Sequence, residues 1–584
     1  MSSERQVSPP RESSSSTDTG TSALPPADEL LTGSELVVRL LQAHGINLVF
    51  GLSGNGILGL FDAALTSGLT IIDTRDESAA VQAAGGRALV TGEPQVALVT
   101  EGPGFASALP GIAAMNHDGV PVIVITNCES DDLFGTGAFQ EMPQAEMAER
   151  IAKWSVKVHA IEHLPDIIAQ AFRVAASGVP GVVAITLANQ VLLGRVSASL
   201  LTRRALPYSR QTSAAAPSHA FTHSLIATLR AAQRPLLLVG SMARWDGASD
   251  AIGGFLELTK VPVAACDKGR GVVGDDHPCY IGEGRPALLP PRALEADVVF
   301  VLGERIDYLL EFGRRWKPGT VFIQVYPDVA QLSRSIDVQL SSMASTKLVL
   351  EAVNAELRSE SWPESAWLNT TRTDYLSARQ ASAAVVADIA GDLHPGRVAR
   401  LVVEAVGADA TYVIDGANCS LWAKQFVPIR RAEDFLEWGR LGMIGMGLPY
   451  ALGAQSAQPG RPVILLVGDG SLGFHLMELE TALRHQLPIL IVVFNDSGWG
   501  IERHFQLAAF GRETATTLSH VRYDLMAQAL GAFGAYAETE TELEAALLEA
   551  KRCAKPAVVN VRTSNVGHPV VLRVAAALKR KYSR

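Results

Sequence analysis

Residues 463–505 read VILLVGDGSLGFHLMELETALRHQLPILIVVFNDSGWGIERHF, and this stretch decides the fold. Its two apolar runs, 463–467 and 488–494, have the length of strands and no polar alternation, which is typical of strands covered on both faces. A helical segment separates them, so the stretch predicts a strand–helix–strand unit of a parallel sheet. The sequences GDGS and ND directly follow the two strands, at the edge where doubly wound sheets bind ligands.

The turns after these strands carry groups suited to a metal and a phosphate. Glycines beside Asp469 let a backbone approach a phosphate closely, and the start of the following helix favours an anion. Asp469 offers a hard oxygen to Mg²⁺ or Ca²⁺, and the next strand returns a second oxygen ligand beside it. A lone GDG is more often a surface turn, but the ND pair after the next buried strand favours a pyrophosphate bridged by a metal.

The same alternation of short apolar runs and helical stretches continues along the 584 residues. It falls into three blocks and predicts an α/β protein with three doubly wound, parallel-sheet domains. The predicted strands are 46–52, 69–75, 95–101, 121–126 and 181–188 in the first block, 234–241, 261–267, 296–303 and 320–327 in the second, and 411–417, 462–467, 488–494 and 556–562 in the third.

Composition excludes several classes of protein. A hydrophobic fraction of 48% is too high for a chain that is disordered throughout, and no apolar run reaches the about 18 residues of a membrane span. The net charge of −10, without a basic stripe, argues against nucleic acid as the main partner. The five cysteines form no CxxC pair and no apolar signal segment opens the chain, so we expect a cytoplasmic protein with reduced thiols.

The segment around Asp469 resembles the binding motif of thiamine-diphosphate (ThDP) enzymes, in which a polar pair follows GDG about two dozen residues later. Asp496 lies 27 residues after Asp469, at the spacing where members of this family place the second metal ligand. The resemblance also implies the Gly498 carbonyl as a ligand. The family pair is usually Asn-Asn, whereas Asn495-Asp496 adds a negative charge beside a diphosphate. A register that uses Asn495 and Ser497 stays open.

Five further motifs resemble those of the family, in the same order along the chain. TRDESAA contains Glu77, which the resemblance implies as the carboxyl group that hydrogen-bonds the aminopyrimidine ring. VTEGPGFA resembles the GPG loop, and GAFQEMPQ contains Gln140, implied as an active-site amide. DGANCS resembles the diphosphate-side loop, and GRLGMIGMG the segment under the thiazolium ring. The implied cofactor-binding residues are Glu77, Ala417, Asn418, Gly442, Ile444, Gly470, Ser471 and Asp496.

The resemblance covers most of the chain and implies its domain organisation. We expect a pyrimidine-binding domain at 31–195, a middle domain at 219–353 and a domain that binds diphosphate and Mg²⁺ at 391–565. Residues 1–28 are rich in Ser, Thr and Pro and are predicted to be a disordered tail. Residues 566–584 are predicted to be a basic tail or lid. The family places the cofactor between the first domain of one subunit and the third of another, so a homodimer or homotetramer is expected.

Within the family, the motifs are most similar to those of 2-hydroxyacyl-CoA lyase, oxalyl-CoA decarboxylase and benzaldehyde lyase. Residues 137–154 and 303–313 resemble the CoA enzymes, whereas 31–54 and 499–511 resemble benzaldehyde lyase. GEGRPAL at 282–288 replaces the flavin-side motif of acetolactate synthases, so FAD is not expected. The resemblance implies reversible cleavage of a 2-hydroxyacyl-CoA to formyl-CoA and an aldehyde or ketone. A benzaldehyde-lyase-like acyloin lyase, an acetolactate-synthase-like transferase and a non-catalytic paralogue stay open.

Glu502 is a candidate second acid–base residue because of its position. It lies six residues past Asp496, on the helix expected after the metal turn, where a carboxyl group can relay a proton. The alternative is an exposed helical Glu paired with a cation. His117 and His504 also suggest bases, and Trp499 suggests a stacking partner, but all three are more typical of structural residues.

A CoA substrate requires cations for its phosphates. The Gly-Ser turn after the predicted strand at 234–241 is the kind of place where a nucleotide such as ADP or CoA binds. Solvated surface is the alternative for the basic clusters. The candidate CoA-binding residues are Arg305, Arg314, Arg315, Lys579 and Arg580.

Overall fold

The computed structural model describes residues 29–203, 214–359, 361–363, 365–386 and 393–582. Within them the chain forms three six-stranded sheets, and all ladders of these sheets are parallel. The prediction of three doubly wound α/β domains is therefore confirmed. The tail predicted at 1–28 lies outside the described residues, as do 583–584 of the predicted lid.

The first sheet has the strand order β3-β2-β4-β5-β7-β6, and β1 pairs antiparallel with β8 beside it. Its apolar strands are covered by helices on both faces, as the sequence pattern requires. The elements are β1 (Leu30–Thr32), α1 (Gly33–Ala43), β2 (Leu48–Gly51), α2 (Leu58–Ser67), β3 (Thr70–Asp73), α3 (Glu77–Thr91), β4 (Gln95–Leu98), α4 (Pro103–His117), β5 (Val122–Cys128), α5 (Gln144–Glu149), β6 (Trp154–Val158), α6 (Leu164–Ala176), β7 (Val182–Ala188), α7 (Asn189–Leu193) and β8 (Arg195–Ser197).

The middle sheet has the strand order β11-β10-β9-β12-β13-β14. A 19-residue helix, α12, follows this domain. The elements are α8 (His219–Ala231), β9 (Pro235–Val239), α9 (Ser241–Trp245), α10 (Ser249–Thr259), β10 (Val263–Ala265), β11 (Tyr280–Glu283), β12 (Val298–Leu302), β13 (Val321–Val325), β14 (Leu340–Ser342), α11 (Thr346–Leu357) and α12 (Trp367–Val385).

The third sheet has the strand order β16-β15-β17-β18-β20-β19. The strand–helix–strand unit predicted within 463–505 forms its centre. The elements are α13 (Pro395–Val406), β15 (Thr411–Asp415), α14 (Asn418–Phe426), β16 (Phe435–Glu437), α15 (Gly447–Ala457), β17 (Val463–Gly468), α16 (Asp469–His475), α17 (Glu478–Arg484), β18 (Leu490–Asn495), α18 (Gly500–Phe510), α19 (Tyr523–Leu530), β19 (Phe533–Ala537), α20 (Glu540–Arg552), β20 (Ala557–Arg562) and α21 (Pro569–Tyr582).

Two glycines let the first and third domains approach closely. A Cβ on Gly86 of α3 would lie 2.5 Å from the Tyr450 carbonyl oxygen of α15, and one on Gly453 would overlap the Ala83 backbone. The helices therefore pack backbone to backbone, and one apolar core runs through both domains. Among the described residues, no helix has the length and apolar character needed to cross a bilayer.

In each sheet the strand order reverses between two central strands. These pairs are β2 and β4 in the first domain, β9 and β12 in the middle domain, and β15 and β17 in the third. The crevice outside the carboxyl ends of such a pair is where doubly wound folds place their ligands. The side chains that line each crevice determine which ligands it can bind.

Candidate functional site

The crevice of the third domain is a cavity of about 240 Å³. It lies beyond the ends of β15 and β17, where the chain turns into α14 and α16. All the site residues predicted from this domain line it. They are Ala417, Asn418, Gly442, Ile444, Asp469, Gly470, Ser471, Asp496, Gly498 and Glu502.

Two acids, Asp469 and Asp496, share the wall of this cavity. Asp469 begins α16, is 3% exposed and accepts a hydrogen bond of 3.2 Å from the Gly498 amide. Burial raises the pKa of Asp469 to about 6. Burial, together with the charge of Asp469, raises the pKa of Asp496 to about 7. The charge of Arg503 lowers the pKa of both acids but does not offset the effect of burial, so the pair is an anionic site suited to a cation.

The side chain of Asn495 turns away from the cavity. Its amide donates to the Val521 carbonyl at 2.8 Å and to Oδ1 of Asn560 at 3.1 Å, and the residue is 1% exposed. Ser497 also points away, with its hydroxyl 3.0 Å from Nδ1 of His520. Asp496 therefore lines the cavity, whereas the side chains of Asn495 and Ser497 do not, and the register that uses Asp496 stays the prediction that this geometry favours.

These groups fit Mg²⁺ together with a diphosphate. In the described part of the chain, no three His, Cys, Asp or Glu side chains gather to hold a metal. The protein would instead supply the carboxylates of Asp469 and Asp496 and the Gly498 carbonyl, and leave the other positions to phosphate oxygens and water. Mg²⁺ is usually bound through one or two carboxylates in this way. The start of α16 and the glycines around it can receive the phosphates.

The loop around Asn418 also holds the C-terminal segment. The side-chain nitrogen of Asn418 donates to the Val566 carbonyl at 2.9 Å, and its side-chain oxygen accepts from the backbone amide of His568 at 3.0 Å. Asp415, 1% exposed, accepts from the Gly447 amide at 2.8 Å, and burial raises its pKa to about 6. The Asn418 bonds join the segments that follow β15 and β20, and the Asp415 bond joins the end of β15 to the start of α15.

Several residues that line the cavity were not predicted. Thr563 and Ser564 follow β20, which lies beside β18, so their place at a strand end was the available signal. Trp499, predicted to be structural, lines the cavity too, and a Cβ on Gly470 would lie 2.6 Å from its ring. The other lining residues that were not predicted as site residues are Pro395, Gly416, Cys419, Trp438, Gly468, Phe494, Gly500 and Ile501.

Glu77 and Gln140, predicted as site residues, lie at the crevice of the first domain. Glu77 is the first residue of α3 and 9% exposed, and a Cβ on Gly104 would lie 3.1 Å from its Oε1. Gln140 packs on Gly102, where a Cβ would lie 2.7 Å from that of Gln140. Burial raises the pKa of Glu77, although a helix start by itself favours the charged form. Neither residue lines the cavity of the third domain.

Of the three candidate bases, Glu502 lines the cavity, whereas His504 and His117 do not. Glu502 lies in the first turn of α18, lines the cavity and is exposed. Its carboxylate forms no ion pair with another described residue, which disfavours the paired surface Glu considered above. His504 packs against Gly567 of the C-terminal segment, where a Cβ would lie 3.0 Å from its Nε2. His117 lies outside the cavity lining, and burial lowers its pKa.

The candidate CoA cations of the middle domain have partners within the chain. Arg305 donates to the His117 carbonyl at 3.2 Å, and Arg315 lies 3.8 Å from Glu311. The Arg314 guanidinium lies 5.3 Å from the Phe312 ring centroid. Lys579 and Arg580 are exposed in the last turn of α21. This helix packs on α18, where the rings of Phe510 and Tyr582 are 5.1 Å apart.

Three family models match this chain, one for each domain. The N-terminal TPP binding domain of thiamine pyrophosphate enzymes matches residues 31–147. The central domain of these enzymes matches 222–353, and their C-terminal TPP binding domain matches 415–561. The last of these ranges contains Asp469 and Asp496.

Curated relatives span nearly the whole chain. A 2-hydroxyacyl-CoA lyase of Oryza sativa is 30% identical over 92% of this chain and 96% of its own length. The acetolactate synthase large subunit IlvG of Mycobacterium tuberculosis is 30% identical over 95% and 99%. The oxalyl-CoA decarboxylase of Escherichia coli is 26% identical over 91% and 95%.

The fold, the cavity and these matches define one class, the thiamine-dependent enzymes of three α/β domains. The chain belongs to the thiamine pyrophosphate enzyme family. The family inferred from the sequence motifs is therefore confirmed.

Proposed function

We propose that this protein is a ThDP- and Mg²⁺-dependent carbon–carbon lyase that reversibly cleaves a 2-hydroxyacyl-CoA to formyl-CoA and an aldehyde or ketone. The observation that carries the proposal is the third-domain cavity, in which the paired acids of the cofactor site and Glu502 lie together. Relatives named 2-hydroxyacyl-CoA lyase and oxalyl-CoA decarboxylase, each matched along more than nine-tenths of its length, support the CoA substrate.

When bound, ThDP supplies a nucleophilic carbon that adds to a carbonyl and accepts the electron pair of the breaking bond. Asp469, Asp496 and Gly498 would hold its diphosphate through Mg²⁺, and Ile444 would support the bend between its rings. Glu77, with its raised pKa, would hold a proton at the pyrimidine ring. Glu502 would take the proton of the substrate 2-hydroxyl and return one to the carbon that remains.

The proposed site requires a second copy of the chain. Glu77 and Gln140 lie at the first-domain crevice, apart from the cavity that would hold the diphosphate. Large apolar side chains are exposed around α16, with Phe474 57%, Met477 45% and Leu441 48% exposed. A partner that covered them would bury apolar surface and bring its own Glu77 to the cavity. We therefore propose a homodimer or a homotetramer.

An acetolactate-synthase-like transferase is the second candidate. The observation that favours it is a relative of that name, 30% identical and matched along 99% of its own length. Such an enzyme would use the same cofactor groups but would join two carbonyl substrates without CoA.

A side-by-side assay of the intact enzyme with Mg²⁺ and ThDP tests these functions. We expect 2-hydroxyacyl-CoAs to yield formyl-CoA and an aldehyde or ketone, and pyruvate and benzoin to react at least tenfold more slowly. Changing Lys579 and Arg580 to Ser should slow only the CoA reaction if α21 holds the nucleotide. Rapid turnover of pyruvate to an acetohydroxy acid, or of benzoin, with no reaction of any acyl-CoA would reject the CoA assignment.

Glu502→Gln should lower kcat by at least about 10²-fold, because the amide cannot exchange the proton of the substrate hydroxyl. The measurement is steady-state turnover of the best substrate from the side-by-side assay, together with the ThDP dissociation constant, which should stay unchanged. Glu549→Gln is the matched control, since Glu549 is another exposed helical glutamate, on α20. Equal kinetics of Glu502→Gln and the control would remove Glu502 from the mechanism.

A further inference from the structure

The switch-point crevice of the middle domain is filled by the protein itself. It lies between the ends of β9 and β12, where Gly240 and Glu304 follow the strands. A Cβ on Gly240 would lie 2.7 Å from Oε2 of Glu304, and Glu304 is 1% exposed. Gly269 covers the same turn, because a Cβ there would lie 2.8 Å from the Gly240 carbonyl. A carboxylate of the chain thus rests where a doubly wound sheet receives a phosphate.

Glu304 is part of a buried group of charges that we call the switch-point ion cluster. Arg440 pairs with Asp267 at 2.9 Å and also with Glu304 and Asp307. Lys268 lies 3.0 Å from Asp118. Burial alone would raise the pKa of Asp267, but Lys268 and Arg440 lower it below its ordinary value. The cluster consists of Asp118, Asp267, Lys268, Glu304, Asp307 and Arg440.

The charges of this cluster disfavour a bound phosphate. Arg305, at the rim and 20% exposed, and Arg285 also lower the pKa of Asp267. The Glu304 carboxylate occupies the turn and pairs with Arg440, so a diphosphate could enter the crevice only by displacing a buried ion pair. Glu304 therefore fills the Gly-Ser turn at 240–241, where the sequence predicted a nucleotide, and this geometry disfavours that prediction.

The cluster also fixes a turn that reaches the cofactor cavity. The Arg440 amide donates to Asp118 at 2.8 Å, and a Cβ on Gly439 would overlap the Asp118 carboxylate. The Gly442 amide closes the turn on the Gly439 carbonyl at 3.1 Å, and the Tyr308 hydroxyl donates to the Arg440 carbonyl at 2.6 Å. Gly442 lines the cavity at the end of this turn.

We propose that Glu304 takes the place of a nucleotide phosphate in the middle-domain crevice, and that Arg440, which Glu304 holds, is a positioning residue for the cofactor-facing segment Gly442–Ile444. The inference rests on ThDP binding by this family and does not depend on the CoA substrate. Loss of the Arg440 contacts then weakens ThDP binding more than it weakens the fold. If the substrate is a CoA ester, its nucleotide binds elsewhere than in this crevice.

The first test compares ThDP affinity with thermal stability in the full-length protein. Quenching of the intrinsic Trp fluorescence by ThDP with Mg²⁺ reports binding, because Trp438 and Trp499 line the cavity. The variants are Arg440→Gln, Arg440→Lys and Glu304→Gln. Arg461→Gln is the matched control, since Arg461 is a third-domain arginine, 17% exposed, that pairs with Asp434 at 2.9 Å.

Arg440→Gln should raise the ThDP dissociation constant at least tenfold, and Arg440→Lys should restore part of the affinity. Arg461→Gln should lower Tm without changing ThDP affinity more than twofold. Should Arg440→Gln not fold, Glu304→Gln decides, because it keeps the size of the side chain and removes its charge; we expect at least a threefold loss of affinity. A folded Glu304→Gln or Arg440→Gln protein with the ThDP affinity of the wild type would overturn the positioning role.

The second test adds ADP to the ThDP-saturated enzyme and follows Tm. A ligand that binds the folded state raises Tm, and we expect no rise. A saturable rise that persists when Lys579 and Arg580 are changed to Ser would overturn the replacement of the phosphate. A rise that is lost in that variant places the nucleotide on α21 and supports a closed crevice.

Discussion

Replacing Glu77 by Gln is expected to lower kcat by about 10²–10⁴-fold, the usual contribution of a positioned acid–base group. The amide has the same shape but cannot pass a proton to the pyrimidine ring of the cofactor. Burial already raises the pKa of Glu77, which favours the protonated carboxyl group that this role requires. Steady-state turnover and the near-UV signal of the bound imino form of the cofactor measure the effect.

The control for this variant is Glu478→Gln. Glu478 is 1% exposed, and burial raises its pKa. It accepts a hydrogen bond of 2.9 Å from the Arg75 amide across the contact between the first and third domains. It does not line the cavity, so this variant should keep kcat within a few-fold of the wild type. Near-normal kcat in Glu77→Gln would contradict the assignment of Glu77 as the acid–base group. Equal losses of kcat in both variants would show damage to the contact between the first and third domains.

The central strands of all three sheets could be predicted from the sequence, but most of the edge strands could not. Of the six edge strands, only β3 falls in a predicted segment, whereas β6, β11, β14, β16 and β19 do not. Central strands such as β5 and β18 are buried at every residue and read as unbroken apolar runs. An edge strand is covered less completely, as in β6, where four of five residues are half-buried, so its apolar signal is weaker.

The residues of the cofactor site also differ in whether a sequence pattern can predict their positions. The residues of the third domain follow strands that pair with one another, so motif order and spacing place them correctly around one cavity. The orientation of the Asn495 side chain depends on its hydrogen bond to Asn560, which lies 65 residues away in the sequence. The partners of Arg440 lie in two other domains. A pattern along one sequence does not report such contacts. For this reason the Gly-Ser turn of the middle domain resembles a nucleotide site until Glu304 is seen on it.

Asp469→Ala should lose Mg²⁺ and ThDP together, because the Asp469 carboxylate would hold the metal at the start of α16. We expect a loss of affinity for each greater than the about 10–100-fold that outer-shell partners of a metal contribute. Isothermal titration with Mg²⁺ and ThDP, singly and combined, measures it. Asp496→Ala should behave alike. Asn495→Ala is the control: it removes core hydrogen bonds to Val521 and Asn560 and should lower Tm while retaining the cofactor.

The two acids also predict how the stability of the metal-free protein depends on pH. Their folded pKa values of about 6 and about 7 lie above the ordinary value of about 3.9. Between pH 4 and 7 these two acids bind protons in the folded state that they have released in the unfolded state, so their contribution to stability falls as pH rises through this range. Asp496→Asn removes the mutual repulsion and should raise the Tm of the metal-free protein at pH 8, although the variant binds Mg²⁺ poorly. A Tm at pH 8 no higher than that of the metal-free wild type would contradict the assignment of these acids as a mutually repelling pair that would hold Mg²⁺.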